Sequence, residues 1–297
     1  MTTDTTPIID GHCHAWAYWP YSSEPLVPDP ETRGRVEQLL YEMQVNDVDQ
    51  ALIVCAQLDH NADNNAYVAA QVRKYPGKLH QAADLDSEWS ATYHTPGAAD
   101  RLRRMAEDWP LAAFTHYLRA DDDGAWLTSS EGLEVFEAAA RLNLLASLSC
   151  VPRQLPAIGQ VAGRFPSVPI LIHHLGHVAR AAGAPGGLGE NLRLLLAASQ
   201  YPNIYIKVSG FAYATALKWE YPYSDVSWIL TALYHTFGPA RLCWGSDYPV
   251  VRYYMTYRQS LEVFRGHFDF IPPADKARIL GGNLAGLLGA RPRRPRA

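Results

Sequence analysis

Short apolar runs recur along the whole chain, and segments with helical spacing separate them. The runs are rich in β-branched and other apolar residues, which is typical of strands buried in a parallel sheet. The eight runs occupy residues 8–14, 50–56, 78–85, 110–118, 144–150, 168–174, 203–208 and 241–247. Eight strands that alternate with helices favour an α/β fold of the closed (β/α)8 TIM-barrel type over an open doubly wound sheet.

The segments between the runs carry helix signals, such as the serine start at Ser130 and the Pro76-Gly77 stop. The predicted helices cover residues 37–46, 64–75, 98–108, 130–143, 154–165, 191–200 and 228–237. No Gly-x-Gly-x-x-Gly follows the first run, which disfavours a dinucleotide-binding fold. No polar linker divides the chain, so we predict one domain over residues 7–290, with disordered tails at 1–6 and 291–297.

Composition and charge exclude several classes of partner. The 297 residues are 48% hydrophobic and 19% charged with a formal net charge of −4, and the one basic cluster is the proline-broken segment 291–296. Nucleic-acid-binding proteins need clustered positive charge, so we expect no nucleic-acid partner. No apolar stretch reaches membrane-spanning length, so we expect no membrane partner. The polar N-terminus lacks a secretory signal, which predicts a cytoplasmic protein.

Two histidines share one side of the first predicted strand. His12 and His14 are two residues apart, and side chains at positions i and i+2 of a strand point to the same face. Two imidazoles on one face can bind one metal ion or one substrate. They can also be solvated or hydrogen-bonded to loop carbonyls, so the spacing alone leaves both interpretations open.

Polar residues recur at the C-terminal ends of the predicted strands, which form the active-site face of a TIM barrel. These residues are His12, His14, His116, Arg119, His173, His174, Lys207 and Asp247. His173 and His174 are adjacent, so we predict that His174 faces inward and His173 packs against a helix. Neutral imidazoles suit zinc or a similar divalent ion, while Asp247 can act as an anionic ligand or as a general base. Together these groups can deprotonate a water molecule.

Several of these side chains have a structural alternative. His116 belongs either to the site, as a substrate-binding residue, or to a polar core. Arg119 either binds a carboxylate or carbonyl of the substrate or forms a surface salt bridge. Tyr248 either hydrogen-bonds the substrate or packs under the following proline. Lys207 is interpreted as a structural ion-pair partner and His177 as a loop residue.

Two long aromatic loops follow predicted strands at residues 15–30 and 212–224, so we expect them to form walls or a lid over the mouth. Trp16 in the first of these loops is predicted to bind substrate. The glycine-rich segment 182–189 is predicted to be a further loop. The aromatic side chains favour a flat, partly apolar substrate, and the alternative is that they pack between protomers of a homo-oligomer.

A series of motifs resembles the amidohydrolase superfamily over almost the whole chain. Within it the chain is most similar to the amidohydrolase-2 group, which includes sugar lactonases and 2-pyrone-4,6-dicarboxylate lactonase. The order of the motifs is more specific than any one of them. They are Ile9-Asp10-Gly11-His12-Cys13-His14, Leu39-Leu40-Tyr41-Glu42-Met43, Pro152-Arg153-Gln154-Leu155-Pro156, His174-Leu175-Gly176-His177, Lys207-Val208-Ser209-Gly210, Trp244-Gly245-Ser246-Asp247-Tyr248-Pro249 and Leu280-Gly281-Gly282-Asn283-Leu284-Ala285.

The resemblance implies a reacting carbonyl surrounded by the histidines of strands one and six and the aspartate of strand eight, with a divalent cation in many members. Carried over by position, the metal ligands are His12, His14, His174 and Asp247, with zinc as the expected ion, and His174 and Asp247 are also the catalytic residues. Metal-dependent members commonly supply a strand-five histidine, and the decarboxylases of the group place one there. Residues 144–150 contain none. A metal-free mechanism, known among lactonases of the group, therefore stays open.

The leading hypothesis is hydrolysis of a lactone or related cyclic ester, a small-molecule substrate. Asp247 takes a proton from water, the water attacks the carbonyl, and a histidine or a bound ion stabilises the oxyanion. One alternative is a metal-dependent, non-oxidative decarboxylase of an aromatic or unsaturated acid. The other is a non-catalytic binding barrel, which the set of buried ionisable groups disfavours.

Overall fold

Eight parallel strands form the centre of the computed structural model, which describes residues 6–21, 30–179 and 187–289. The strands are β1 (Ile9–Cys13), β2 (Gln50–Val54), β3 (Leu79–Asp84), β4 (Leu111–Tyr117), β5 (Leu145–Ser149), β6 (Ile170–Ile172), β7 (Ile204–Val208) and β8 (Leu242–Trp244). Each strand pairs in parallel with the next one along the chain. The amide of His14 donates to the Tyr248 carbonyl and the amide of Asp247 to the His12 carbonyl, which joins β1 to the end of β8. The predicted TIM barrel is confirmed.

Helices follow the strands and continue beyond the last one. They are α1 (Val36–Val45), α2 (Asn64–Lys74), α3 (Ala98–Asp108), α4 (Ala125–Thr128), α5 (Ser130–Arg141), α6 (Leu155–Arg164), α7 (Gly187–Ala197), α8 (Phe211–Ala214), α9 (Ser227–Phe237), α10 (Tyr257–His267), α11 (Pro273–Ala277) and α12 (Asn283–Gly289). All seven predicted helices are present. Helix α7 begins before the predicted residue 191, because Leu188 extends the apolar spacing of Leu192, Leu195 and Leu196 by one turn.

Some predicted segments fall on residues that the structure does not describe. Residues 182–186 of the predicted glycine-rich loop lie outside the described residues, and residues 187–189 belong to α7. The predicted tails also lie outside the described residues, apart from Thr6. A bilayer-spanning helix needs about 20 apolar residues. Within the described ranges, no helix is long and apolar enough to cross a membrane.

Apolar side chains cover both faces of the strands. The outer face packs against the helices, where the rings of Phe114 on β4 and Phe136 on α5 lie 5.8 Å apart. The inner face is filled near the N-terminal ends of the strands, where α12 also packs. The core there includes Ile9, Leu52, Leu145, Leu171, Cys243, Leu284 and Leu288. Burial on both faces explains why the strands are continuous apolar runs, and it leaves polar chemistry to their C-terminal ends.

The carboxylate of Asp10 joins the first and last strands. Its Oδ1 accepts hydrogen bonds from the amides of His12 at 3.2 Å and Ser246 at 2.9 Å. Its Oδ2 accepts from the Ser246 hydroxyl at 2.6 Å and the Tyr257 hydroxyl at 3.0 Å. Burial raises the pKa of Asp10 to about 6. Asp10 therefore fixes the backbone on both sides of the barrel closure, next to the residues that carry the chemistry.

Candidate active site

Four of the predicted site residues meet at the C-terminal end of the barrel, and we call His12, His14, His174 and Asp247 the inner cluster. His12 lies in β1 and His14 directly after it, while His174 follows β6 and Asp247 follows β8. The Asp247 Oδ1 atom lies 3.6 Å from His12 Nε2, 3.4 Å from His14 Nε2 and 3.8 Å from His174 Nε2. All four side chains are buried. One carboxylate oxygen therefore faces three imidazole nitrogens.

The backbone at His174 and Asp247 is left-handed, with φ angles of 46° and 63°. Residues other than glycine seldom adopt this conformation, and those that do are concentrated at functional sites. Strand β6 ends at Ile172, so the side-chain alternation of a strand does not extend to the two histidines. The rings of His173 and His174 both lie 4.4 Å from the His12 ring. The prediction that His173 packs against a helix is wrong, because it extended the side-chain alternation of a strand beyond the end of β6.

His173, Ser147 and Lys207 form a hydrogen-bonded layer next to His12. The Ser147 hydroxyl lies 2.7 Å from His173 Nε2 and accepts from Lys207 Nζ at 2.8 Å. Lys207 Nζ lies 3.1 Å from His12 Nδ1. Lys207 is completely buried, and its polar partners are this hydroxyl and this imidazole rather than a carboxylate. The prediction of a structural ion pair at Lys207 is therefore wrong.

Burial keeps the basic groups of the site near their neutral forms. Burial lowers the pKa of Lys207 to about 7. Burial and, after it, the Lys207 ammonium lower the pKa of His12 and of His173 well below the ordinary value. The neutral imidazole is the form that binds a metal ion. At neutral pH, His12 and His173 are thus in the protonation state that metal binding requires.

Asp247 is held in its charged form. Burial by itself raises the pKa of Asp247, but when the neighbouring imidazoles are protonated, the charge of His174 and hydrogen bonds from His14 and from Tyr213 bring it below its ordinary value. The Tyr213 hydroxyl donates to Asp247 Oδ2. Burial and the neighbouring carboxylate raise the pKa of Tyr213 well above its ordinary value. The site therefore combines an anionic carboxylate with a neutral phenol.

Hydrogen bonds at the far nitrogen orient the imidazoles. His14 Nδ1 donates to the Val54 carbonyl oxygen at 2.7 Å, and His174 Nδ1 lies 3.0 Å from Ser209 Oγ. A carbonyl oxygen can only accept, so the proton of neutral His14 is on Nδ1 and the lone pair of its Nε2 faces the carboxylate. His12 Nε2 is buried and has no hydrogen-bond partner among the residues that the structure describes.

The donor atoms of His12, His14 and Asp247 fit one divalent cation. Lone pairs on imidazole nitrogens and on a carboxylate oxygen repel each other unless positive charge lies between them. Ligand atoms that surround a tetrahedral ion at about 2.0–2.2 Å are about 3.4 Å apart, and Asp247 Oδ1 lies 3.4 to 3.8 Å from the three nitrogens. Ligand atoms of His12, His14 and Asp247 lie within 4.8 Å of one another, and so do those of His12, His173 and His174.

Aromatic side chains of the loop after β1 contact the inner cluster. Trp16 stacks on His14 with ring centroids 4.8 Å apart, and its Nε1 donates to the Ala56 carbonyl at 2.8 Å. Trp19 and Tyr21 extend this aromatic group. Four residues are predicted to bind substrate, and Trp16 is the one whose side chain contacts the inner cluster. Residues 22–29 of the predicted lid lie outside the described residues.

His177 and Tyr213 lie on the other side of His174. His177, interpreted from the sequence as a loop residue, is buried in the turn His174–His177, with its ring 5.0 Å from the ring of His174. Its Nε2 lies 3.4 Å from Ser149 Oγ. Tyr213 belongs to the predicted wall at residues 212–224, and its ring meets that of His174 edge-on at 5.1 Å.

The side chains of the other three predicted substrate-binding residues have different neighbours. The Tyr248 hydroxyl donates to the Arg33 carbonyl at 2.8 Å. His116 Nδ1 donates to a main-chain carbonyl at 2.8 Å, and the Arg119 guanidinium lies 4.4 Å from the centroid of the Tyr93 ring. No described hydrogen bond or ring contact joins these three side chains to the inner cluster. Their contact with substrate stays a prediction.

Strand β4 contributes Tyr117 rather than His116 to the barrel interior. The Tyr117 ring lies 5.1 Å from the ring of His173 and 4.8 Å from that of Trp89. Asp84, at the end of β3, accepts a hydrogen bond from Trp89 Nε1 at 2.8 Å. Sequence reasoning missed these residues. The alternation of side chains along β3 and β4 identifies them only once the inward-facing side of these strands is known.

Comparisons with known proteins agree with this fold. The model of the amidohydrolase family matches residues 9–289. The L-fucono-1,5-lactonase of Burkholderia ambifaria is 27% identical over 294 residues, which cover 93% of each chain.

Two solved structures share the fold. One is an amidohydrolase from Burkholderia multivorans with bound zinc, at 20% identity and a TM-score of 0.73, covering 95% of this chain and 99% of that one. The other is a probable 2-pyrone-4,6-dicarboxylic acid hydrolase from Acinetobacter baumannii, at 19% identity and a TM-score of 0.70, with the same coverage. The family model extends from β1 to α12 and includes every residue of the inner cluster. The chain therefore belongs to the amidohydrolase family.

Proposed function

We propose that the protein hydrolyses a lactone or a related cyclic ester, with one zinc ion held by His12, His14, His174 and Asp247. The observation that carries this proposal is the convergence of three imidazole Nε2 atoms on Asp247 Oδ1. The relative that is 27% identical is named for the hydrolysis of a lactone, and one structural neighbour contains zinc. A bound cation would supply Lewis-acid polarisation of the substrate carbonyl.

Asp247 acts as the general base in this proposal. Its carboxylate takes a proton from a water molecule while the water oxygen forms a bond to the carbonyl carbon. The electron pair of the carbonyl π bond moves onto the acyl oxygen. When the tetrahedral intermediate collapses, the bond to the ring oxygen breaks and Asp247 returns the proton to that oxygen. The product is an open-chain hydroxy acid, and no reactant other than water is needed.

The histidines orient the reaction by means of their outer contacts. His14 is fixed by the Val54 carbonyl, and His12 by the Lys207 amine. When Lys207 is neutral, its nitrogen can accept a hydrogen bond from the N–H group at His12 Nδ1, which leaves the His12 Nε2 lone pair directed towards Asp247. The pKa of Lys207 near 7 makes that neutral form accessible at physiological pH. Lys207 thereby supports the base and the ligands without contacting substrate.

The two alternative functions have less support. A decarboxylase of this group is expected to carry a strand-five histidine, and Ser147 occupies the inward position of β5, hydrogen-bonded to His173. A non-catalytic barrel has no need for buried ionisable groups, which are costly to keep in a protein interior. Lys207, Asp247 and the three histidines are nevertheless assembled in one place.

A lactone panel tests the proposal. The purified protein is mixed with L-fucono-1,5-lactone and other five- and six-membered lactones, and acid release is followed with a pH indicator. We expect turnover of at least one lactone, its loss after treatment with a chelator, and its recovery when zinc is added back. Elemental analysis should give about one divalent ion per chain. Carbon dioxide release from aromatic acids without any lactone turnover would overturn the proposal.

A further inference from the structure

The two oxygens of the Asp247 carboxylate have different neighbours. Oδ1 faces the three imidazoles, whereas Oδ2 accepts a hydrogen bond from the Tyr213 hydroxyl. Oδ1 faces the ligand nitrogens, so Oδ2 is the oxygen that can take a proton from the attacking water. Whatever binds next to Oδ2 during the reaction also comes within reach of the phenol.

The fold holds Tyr213 in this place. Tyr213 lies in the four-residue helix α8, which follows Gly210. Gly210 has φ of +70°, and a Cβ there would lie 2.8 Å from the Cβ and Nδ1 atoms of His174. Only glycine therefore lets α8 come close enough for the edge of the Tyr213 ring to contact His174. The Tyr254 ring packs at right angles to Tyr213 on another side, with centroids 6.1 Å apart.

We propose that Tyr213 is a catalytic residue whose hydroxyl donates a hydrogen bond to the acyl oxygen of the lactone. This inference rests on the proposed hydrolysis. In the free enzyme the hydroxyl is bound to Asp247 Oδ2. When substrate and water enter, the water takes this place on Oδ2 and the phenol turns to the acyl oxygen, which lies next to the attacked carbon.

The hydrogen bond becomes stronger as the reaction proceeds. The acyl oxygen gains the electron pair of the carbonyl π bond when the water oxygen attacks, and a donor aimed at this developing charge stabilises the transition state more than the substrate. Tyr213 keeps its own proton throughout, because the proton of the water goes to Asp247 and then to the ring oxygen. The step balances without any further acid.

The test compares Tyr213→Phe with a matched control, Tyr234→Phe. The Tyr234 hydroxyl also donates to an aspartate, Asp275 at 2.6 Å, but this pair joins α9 to α11 on the outside of the barrel. With a lactone that the wild type hydrolyses, we expect Tyr213→Phe to lower kcat by about 10²–10³-fold, the usual cost of one oxyanion donor, with KM changed less than about threefold. Tyr234→Phe should retain the wild-type kcat.

The pH dependence of kcat separates a donor from a residue that only positions Asp247. In the substrate complex a donor has left Asp247, so the acid limb of kcat stays in place in Tyr213→Phe while the plateau falls. A shifted acid limb, or a loss of bound metal that parallels the loss of activity, would show that Tyr213 acts through Asp247 and would overturn the inference. So would a kcat within about threefold of the wild type.

A second pair of variants keeps the inference testable if Tyr213→Phe does not fold. Tyr213→Gln retains a donor and Tyr213→Leu does not, so we expect kcat of the glutamine variant to be at least about tenfold higher. Equal values would overturn the inference. Failure of the wild type on every lactone would instead overturn the proposed function, and the role of Tyr213 with it.

Discussion

The inner cluster can be compared with a second group of histidines on the other face of β4, which we call the outer cluster: His94, His116 and Asp122. His94 Nδ1 lies 3.2 Å from Asp122 Oδ2, and His94 Nε2 lies 3.3 Å from His116 Nε2. Both clusters therefore place at least one imidazole nitrogen about as close to an aspartate oxygen, at 3.2 Å in the outer cluster and 3.4 to 3.8 Å in the inner one. In the inner cluster three nitrogens converge on one oxygen, whereas in the outer cluster the groups form a chain.

The difference in arrangement corresponds to a difference in chemistry. In the outer chain each nitrogen has a partner, and the far end of His116 is fixed by the Leu85 carbonyl at 2.8 Å. The His94 ring is stacked on Tyr93 at 3.7 Å and on Trp126 at 4.3 Å. The three nitrogens that converge on one oxygen in the inner cluster create a point at which a cation or a reacting atom can be held. The chain of hydrogen bonds in the outer cluster instead joins structural elements.

The largest expected effect is a contrast between the two aspartates. Asp247→Asn should lower kcat by about 10³-fold or more, because a general base contributes about 10²–10⁴-fold, while thermal unfolding shows a folded protein. Asp122→Asn should keep kcat/KM within about threefold of the wild type, because Asp122 belongs to the outer cluster and not to the inner one. Steady-state kinetics on one lactone measures both. Equal losses in the two variants would break the distinction between the clusters.

The next effect concerns metal binding. His14→Asn should weaken the affinity for zinc by at least about 10²-fold, because even the loss of an outer partner of a ligand costs about 10–100-fold. His94→Asn should leave the affinity unchanged. Competition with a chromophoric chelator gives both values. Zinc released equally from both variants would mean that the outer cluster also holds the metal.

The fold and the inner cluster could be predicted from the sequence because their signals are local. Strands buried on both faces give continuous apolar runs, and two histidines at i and i+2 of β1 face the same side whatever the rest of the chain does. The same burial hides the phase of the other strands. In β4 the apolar residues do not show which side is inside, so the sequence pattern does not reveal that Tyr117, rather than His116, faces the barrel interior.

Other parts of the site depend on where a strand ends or on distant partners. His173 joins the site because β6 stops at Ile172, and strand ends are among the least predictable features of a sequence. Lys207 meets Ser147 and His12 across the barrel, at sequence separations of 60 and 195 residues. No local pattern indicates such a contact. The lowered pKa of Lys207 follows from the burial of its side chain in the barrel, which no local pattern indicates either.

Removing the outer imidazole should change stability rather than activity. His116→Ala leaves a cavity among Trp126, Tyr93 and His94 and an unsatisfied carbonyl at Leu85, so we expect a loss of about 2–3 kcal/mol in the free energy of unfolding. Chemical denaturation measures this loss. The value of kcat/KM should be unchanged. A large fall in kcat/KM with unchanged stability would instead support a direct role of His116 in substrate binding.

The smallest effect is the pH dependence of stability that the outer cluster contributes. Burial and the neighbouring His116 lower the pKa of His94 from 6.5 to about 4 in the folded protein. Between these values the unfolded chain binds a proton that the folded protein does not, so the contribution is complete above pH 6.5 and is lost as the pH falls towards 4. The shift limits the loss to about 3 kcal/mol, and the side chain is 16% exposed, so we expect about 1–2 kcal/mol.

His94→Gln isolates this contribution, because glutamine cannot titrate in the same range. Denaturation curves at pH 7 and at pH 4.5 should show a smaller loss of stability in the variant than in the wild type, by about 1–2 kcal/mol. An equal loss in both proteins would mean that His94 does not titrate within this range. The acid sensitivity of the fold would then arise from other buried imidazoles, such as His12, His116 and His173, whose pKa values burial also lowers.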